Sequence, residues 1–139
     1  MLKSHAPIDL VVVWLGTNDM FVPGGLTAQD AARGSITLAE MVRSSDAGPE
    51  DEPPEVLVLI SPPFGSLGAL EHDSPHGELE SRAFADAYRR LAEEAEVPLL
   101  DLAPFAESSP IEVIHFEAAD HQAIGRAVAG TVRDLLDLT

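Results

Sequence analysis

Two short stretches carry the residue types of proton-transfer and oxyanion-stabilising chemistry. Gly16-Thr17-Asn18-Asp19 closes the first apolar run, and Glu112-Val113-Ile114-His115-Phe116 stands just before the last helical pattern. An amide in a tight, glycine-containing turn past a strand end suits a donor aimed into a crevice. His115 lies in a loop leading into a helix, with an acid three residues before it. Each stretch has a plain alternative: Asn, Asp and Gly are common turn residues, and a lone histidine is often structural. Only brought to one end of one fold would the two make a site.

Other reactive residues point less sharply. His72 and His76 share i, i+4 spacing around Asp73, but in a Gly/Pro-rich loop where no helix is expected to present them to a metal. His115 and His121 lack that spacing altogether, and His121 reads as a surface or helix-packing residue. Acids between Asp46 and Glu55 alternate with prolines and lack calcium-loop spacing. Ser61 ends the second apolar run, yet two prolines follow it and no helix starts there. Trp14 is expected to pack in the core beside its strand. With no cysteine in the chain, thiolate chemistry and disulfides are excluded.

The elements that must position these residues alternate. Apolar runs at Ile8–Leu15, Glu55–Ser61 and Val97–Asp101 read as strands, and their near-continuous apolar character suits a parallel sheet covered on both faces. Thr27 is a helix N-cap with Asp30 at capping-box spacing, and Ala31, Ser35, Leu38 and Met41/Val42 follow as one stripe. A second helix is expected over about Glu78–Ala95, with Ala83/Phe84, Ala87/Tyr88 and Leu91 on one face. A third runs from about Ala118 to Leu136, with Ile124, Val128, Thr131/Val132 and Leu135 inward. The order βαβαβα predicts a flavodoxin-like, three-layer α/β/α fold with a parallel sheet. Asp46–Glu55 reads as a solvated connection. Ser61–Gly77 is far longer than the usual βα loop of about 2–6 residues, and long loops beyond strand carboxyl ends are where such folds place sites.

Composition narrows the partners. The 139 residues carry 24 acids against 8 lysines and arginines, a net charge of −16. No basic footprint exists for nucleic acid or an anionic membrane surface. No run approaches the ~18 apolar residues of a membrane span, and no secretory h-region precedes the first strand.

Taken together, Gly16-Thr17-Asn18-Asp19, Glu112-x-x-His115 and Ile60-Ser61-Pro62-Pro63 resemble the SGNH/GDSL hydrolase family, whose third block is Gly-x-Asn-Asp and whose fifth is Asp-x-x-His. The run His115 to Gly125 is similar to the arylesterase and acyltransferase branch. The resemblance covers nearly the whole chain, from Asp9 to about Leu136. It implies a serine ester hydrolase acting on small acyl or aryl esters, without cofactor or metal. It makes Asn18, with Gly16 beside it, the oxyanion and substrate-binding element. It makes His115 the general base and Glu112 the acid that fixes its tautomer. The sequence departs from the pattern at Glu112, where the family has aspartate and one more methylene must be accommodated. It departs again at Val113, where the family has glycine.

The largest departure is the nucleophile. The family's Gly-Asp-Ser block lies at the end of an earlier strand, and nothing like it precedes Asp9. The expectation is a single, incomplete SGNH domain over residues 1–139 that lacks the first two βα units, on the order of 60 residues if each unit takes about 30. Its exposed edge at Ile8–Leu15 is expected to invite a homo-oligomer. The alternative is a non-catalytic module that keeps the fold and binds a ligand or partner. A nucleotide binder is remote, because no Gly-rich loop precedes a helix.

Overall fold

The computed structural model describes residues 2–109, 111 and 113–138. Three parallel strands, β1 (Leu10–Val13), β2 (Glu55–Ile60) and β3 (Leu99–Asp101), lie in that order across one sheet. β1 pairs with β2 from Leu10↔Glu55 to Val13↔Val58, and β2 with β3 from Val58↔Leu99 to Ile60↔Asp101. Four α-helices flank them: α1 (Ala28–Arg43), α2 (Gly77–Arg82), α3 (Phe84–Ala95) and α4 (Ala118–Leu135).

β2 is the spine because its side chains serve both layers. Val56, Val58 and Ile60 pack with α1 and α3, while Leu57 and Leu59 pack with Leu102 and with Ile124 of α4. All five are at most 2% exposed, and burying each stabilises by about 1.5–3 kcal/mol. The three-layer α/β architecture expected from the alternating elements is thus present.

α1 starts as the sequence indicates. The Thr27 hydroxyl accepts from the Asp30 amide at 3.1 Å, and the Asp30 carboxylate accepts from the Thr27 amide at 3.2 Å. Its buried face differs from the expected stripe. Ala31, Ser35 and Val42 are inward, but Ala28, Ala32, Ile36 and Ala39 complete the face, whereas Leu38 and Met41 are exposed. Small residues face inward because the helix lies close over the sheet, and the larger Leu38 and Met41 fall outside that contact.

The expected helix Glu78–Ala95 is two helices, broken at Ala83. No glycine or proline marks the break. The first helix is instead tied to the preceding loop: the Leu67 amide donates to Glu78 Oε1 at 2.7 Å, and the Phe64 amide to Ser81 Oγ at 3.0 Å. That loop is packed rather than open, since Phe64 and Leu67 are buried. Phe64 also contacts the rings of Phe21 and Phe84. Asp46–Glu55 is likewise less solvated than its composition suggests. Ala47, Gly48 and Pro54 are buried, and the Ala47 carbonyl accepts from the Ile8 amide at 2.9 Å.

β1 departs most from expectation. It spans four residues, not eight, and it is not covered on both faces. Val11 and Val13 meet the α1/α3 layer, but Val12, pointing the other way, is 41% exposed. α4 stands over β2 and β3, and Ile124 alone of its described residues is fully buried.

Candidate active site

The loops that follow β1 and β2 meet the approach to α4 around one cavity of about 620 Å³. Gly16, Asn18 and His115 all line it, together with Trp14, Ser61 and Phe116. Residues separated by nearly a hundred positions in sequence are therefore neighbours beyond the carboxyl ends of the strands, where open α/β sheets place their ligands. Glu112 lies outside the described residues.

The Gly16 turn is held from beneath. Gly16 has φ +113°, a conformation that side-chain-bearing residues rarely adopt. A Cβ there would also collide with the hydroxyl of Tyr88. That hydroxyl donates to the Leu15 carbonyl at 3.0 Å and lies 3.2 Å from Ser35 Oγ. Tyr88 and Ser35 are both buried. Burial pushes the phenol above its ordinary pKa of 10.0; the Ser35 hydroxyl opposes that shift, and the Asp19 charge adds to it. The turn itself closes with the Asp19 amide donating to the Gly16 carbonyl at 3.2 Å. Asn18 then opens a short 3₁₀ turn, Asn18–Phe21, and is exposed to the cavity.

A second hydrogen-bonded group lies beside it. The Trp14 indole N–H donates to Ser61 Oγ at 2.9 Å, and the Thr17 hydroxyl lies 3.2 Å from the same oxygen. Trp14 is therefore half-buried in the cavity wall rather than packed wholly in the core. Ser61 is 6% exposed and already engaged by two partners, which is the wrong setting for a nucleophile that must be free to attack.

The His115 loop is organised by Ser109. The Ser109 amide donates to the His115 carbonyl at 2.7 Å, its carbonyl accepts from the Val113 amide at 2.8 Å, and its hydroxyl donates to Glu117 Oε1 at 2.6 Å. Val113, where the resembled family carries glycine, has φ +60°. That conformation is strained for a β-branched residue. Phe116 stacks obliquely on Trp14, with ring centroids 5.7 Å apart, and its ring meets His121 edge-on at 5.8 Å. His121 is thus a packing partner as well as a cavity residue.

Tyr88, Ser109 and the Trp14–Ser61 pair went unrecognised as supports in the sequence. The signal for Tyr88 was present in part, since it falls on the inward face of its helix. Its contact with a turn 73 residues away was not readable there. Among the described residues no group of three or more histidines or acids is placed to hold a metal, so His72 and His76 form no such site with their neighbours. Among the described residues no helix is long and apolar enough to cross a membrane.

A parallel α/β sheet with a cavity at its carboxyl end defines an open α/β fold with its site where such sheets place ligands. The chain belongs to the GDSL-like lipase/acylhydrolase family, whose pattern matches residues 1–123. Solved structures agree. The aryl esterase of M. smegmatis is 32% identical with a TM-score of 0.88, over 97% of this chain and 65% of that one. A carbohydrate acetylesterase family member from Sinorhizobium meliloti is 35% identical with a TM-score of 0.86, over 99% and 66%. A second carbohydrate acetylesterase from that organism is 29% identical with a TM-score of 0.87, over 96% and 64%. The chain thus spans just under two thirds of each. A search of curated proteins found no match.

Proposed function

We propose that these residues form the base and oxyanion side of a serine ester hydrolase acting on small acyl or aryl esters, with the nucleophile on a segment outside the 139 residues. The observation that carries the reading is the shared cavity of Gly16, Asn18 and His115. In this reading His115 takes the proton from the attacking hydroxyl and returns it to the leaving alcohol. Glu112 accepts the other imidazole N–H and holds the tautomer. The Asn18 amide donates to the carbonyl oxygen as it gains charge, and Gly16, beside it in the cavity wall, gives the turn the backbone conformation that presents it. Neither metal nor cofactor is required by this chemistry.

The family supports ester hydrolysis, and the solved relatives bear the names aryl esterase and carbohydrate acetylesterase. The engaged hydroxyl of Ser61 supports a nucleophile from elsewhere, as does the 65% span of the M. smegmatis chain. That same engagement is what favours the second reading, a binding module that keeps the fold without the reaction.

A fluorophosphonate probe with mass-spectrometric mapping tests the assignment. The chain alone is expected to remain unlabelled. An adduct on one serine, lost in His115→Ala, would place the nucleophile inside these residues and overturn that part of the proposal. The binding module is distinguished by reading the coding sequence upstream of Met1. An in-frame Gly-Asp-Ser block there supports the enzyme, and its absence supports the module.

A further inference from the structure

We infer that Trp14 is a positioning residue that ties the Asn18 turn to the His115 loop; this rests on reading those two as the oxyanion donor and the base. The two loops belong to different parts of the chain and are braced separately. The Asn18 turn is held by Tyr88 below it, and the His115 loop by Ser109 within it. Trp14 touches both. Its indole N–H reaches Ser61 Oγ at 2.9 Å, and Ser61 Oγ lies 3.2 Å from the hydroxyl of Thr17, the residue before Asn18. Its ring stands 5.7 Å from Phe116, the residue after His115.

The chemistry of each group fixes the direction of the link. An indole N–H can only donate, so Ser61 Oγ accepts from it and shares one further hydrogen with Thr17. Ser61 is buried, where a lost partner costs more than it would in water. The ring contact is apolar and tilted by 31°, so on this inference a shift of Phe116 moves the indole and, through its N–H, the Ser61–Thr17 pair. A phenylalanine at position 14 would keep the ring contact and cut the hydrogen bond. An alanine at position 61 would cut the same link from its other end.

The test uses nitrogen-15 spectra of the 139-residue chain and needs no catalytic activity, so its outcome is separate from that of the esterase reading. Phe116→Leu is expected to shift the side-chain amide signal of Asn18 in the parent chain. That transmitted shift is expected to be lost in the Trp14→Phe background and again in the Ser61→Ala background, while signal dispersion stays native. If Trp14→Phe fails to fold, Ser61→Ala decides alone, since it leaves both rings in place. The inference is overturned if Phe116→Leu leaves the Asn18 signal unmoved in the parent. It is equally overturned if the shift persists undiminished once the link is cut. A merely structural tryptophan would predict that persistence.

Discussion

Gly16 and Tyr88 fit together with no room for a methyl group between them. The Tyr88 hydroxyl occupies the place a Cβ at position 16 would take, and from there it donates to the Leu15 carbonyl at 3.0 Å. The turn that presents Asn18 to the cavity is therefore shaped by a buried phenol on a helix more than seventy residues away. Two constraints meet at one glycine, the φ of +113° and the occupied space.

Gly16→Ala should accordingly be among the costliest single substitutions outside the core. Left-handed strain contributes about 1–2 kcal/mol and overpacking about 1–3 kcal/mol. A urea titration should show a loss of roughly 2–5 kcal/mol, the sum of those terms. In a Tyr88→Phe background, which itself loses the hydroxyl's hydrogen bonds, Gly16→Ala should cost only the strain part. An unchanged midpoint for Gly16→Ala would remove the basis for the tight fit.

Tyr88 also sets a limit at alkaline pH. Its folded-state pKa is raised by burial above 10.0, so the unfolded chain loses the phenolic proton first as pH rises. The stability tied to this group is fully present below its unfolded pKa and is lost as pH climbs through the raised folded value. Lys3 is raised too, through its hydrogen bond and ion pair with Asp46, and acts in the same direction. Because Tyr88 is the single tyrosine, ultraviolet difference absorbance reads it without interference. The native chain should titrate later than the chain in denaturant, and coincident curves would contradict the buried placement.

Ser109 should matter to His115 without touching substrate. Removing its hydroxyl ends its hydrogen bonds to Glu117 Oε1 and from the Ile111 amide; both residues are exposed and water can replace the hydroxyl, so the loss is about 0.5–1.5 kcal/mol for each bond. Ser109→Ala should lower the melting temperature and speed amide exchange at Val113, the strained residue of the loop. Unchanged exchange at Val113 would show that the loop is held by other means.

The β1 edge should drive self-association of the isolated chain. β1 ends the sheet, and Val12 and Leu15 are 41% and 53% exposed beside it. Unpaired backbone on an apolar edge recruits another strand. Sedimentation at micromolar concentration should show species larger than the monomer, reduced by Val12→Lys. A monodisperse monomer would contradict this.

Much of this arrangement was legible from residue types. The order of strands and helices and the Thr27–Asp30 box follow from local pattern and spacing, and the pairing of Asn18 with His115 follows from the resemblance of their stretches to one family. The inward face of α1 was not, because a hydrophobic stripe through Leu38 and Met41 is as regular as the true one through Ile36 and Ala39. Only the close approach of helix to sheet selects the small residues. The break at Ala83 was hidden for a similar reason, since the carboxylate of Glu78 and hydroxyl of Ser81 serve a loop from outside the helix. In sequence Ser61 is a hydroxyl at a strand end with two prolines after it, and its role as a support shows only in its two hydrogen-bond partners.

If Asn18 and His115 act on one ester, a chain that carries a nucleophile should need both for turnover. The polypeptide extended through its upstream coding sequence, with any Gly-Asp-Ser block found there, should be assayed on phenyl acetate beside Asn18→Ala and His115→Ala. Asn18→Ala should lower kcat by about 10²–10³, and His115→Ala by more, on the order of 10⁶. An extended enzyme whose rate survives His115→Ala would contradict that joint role.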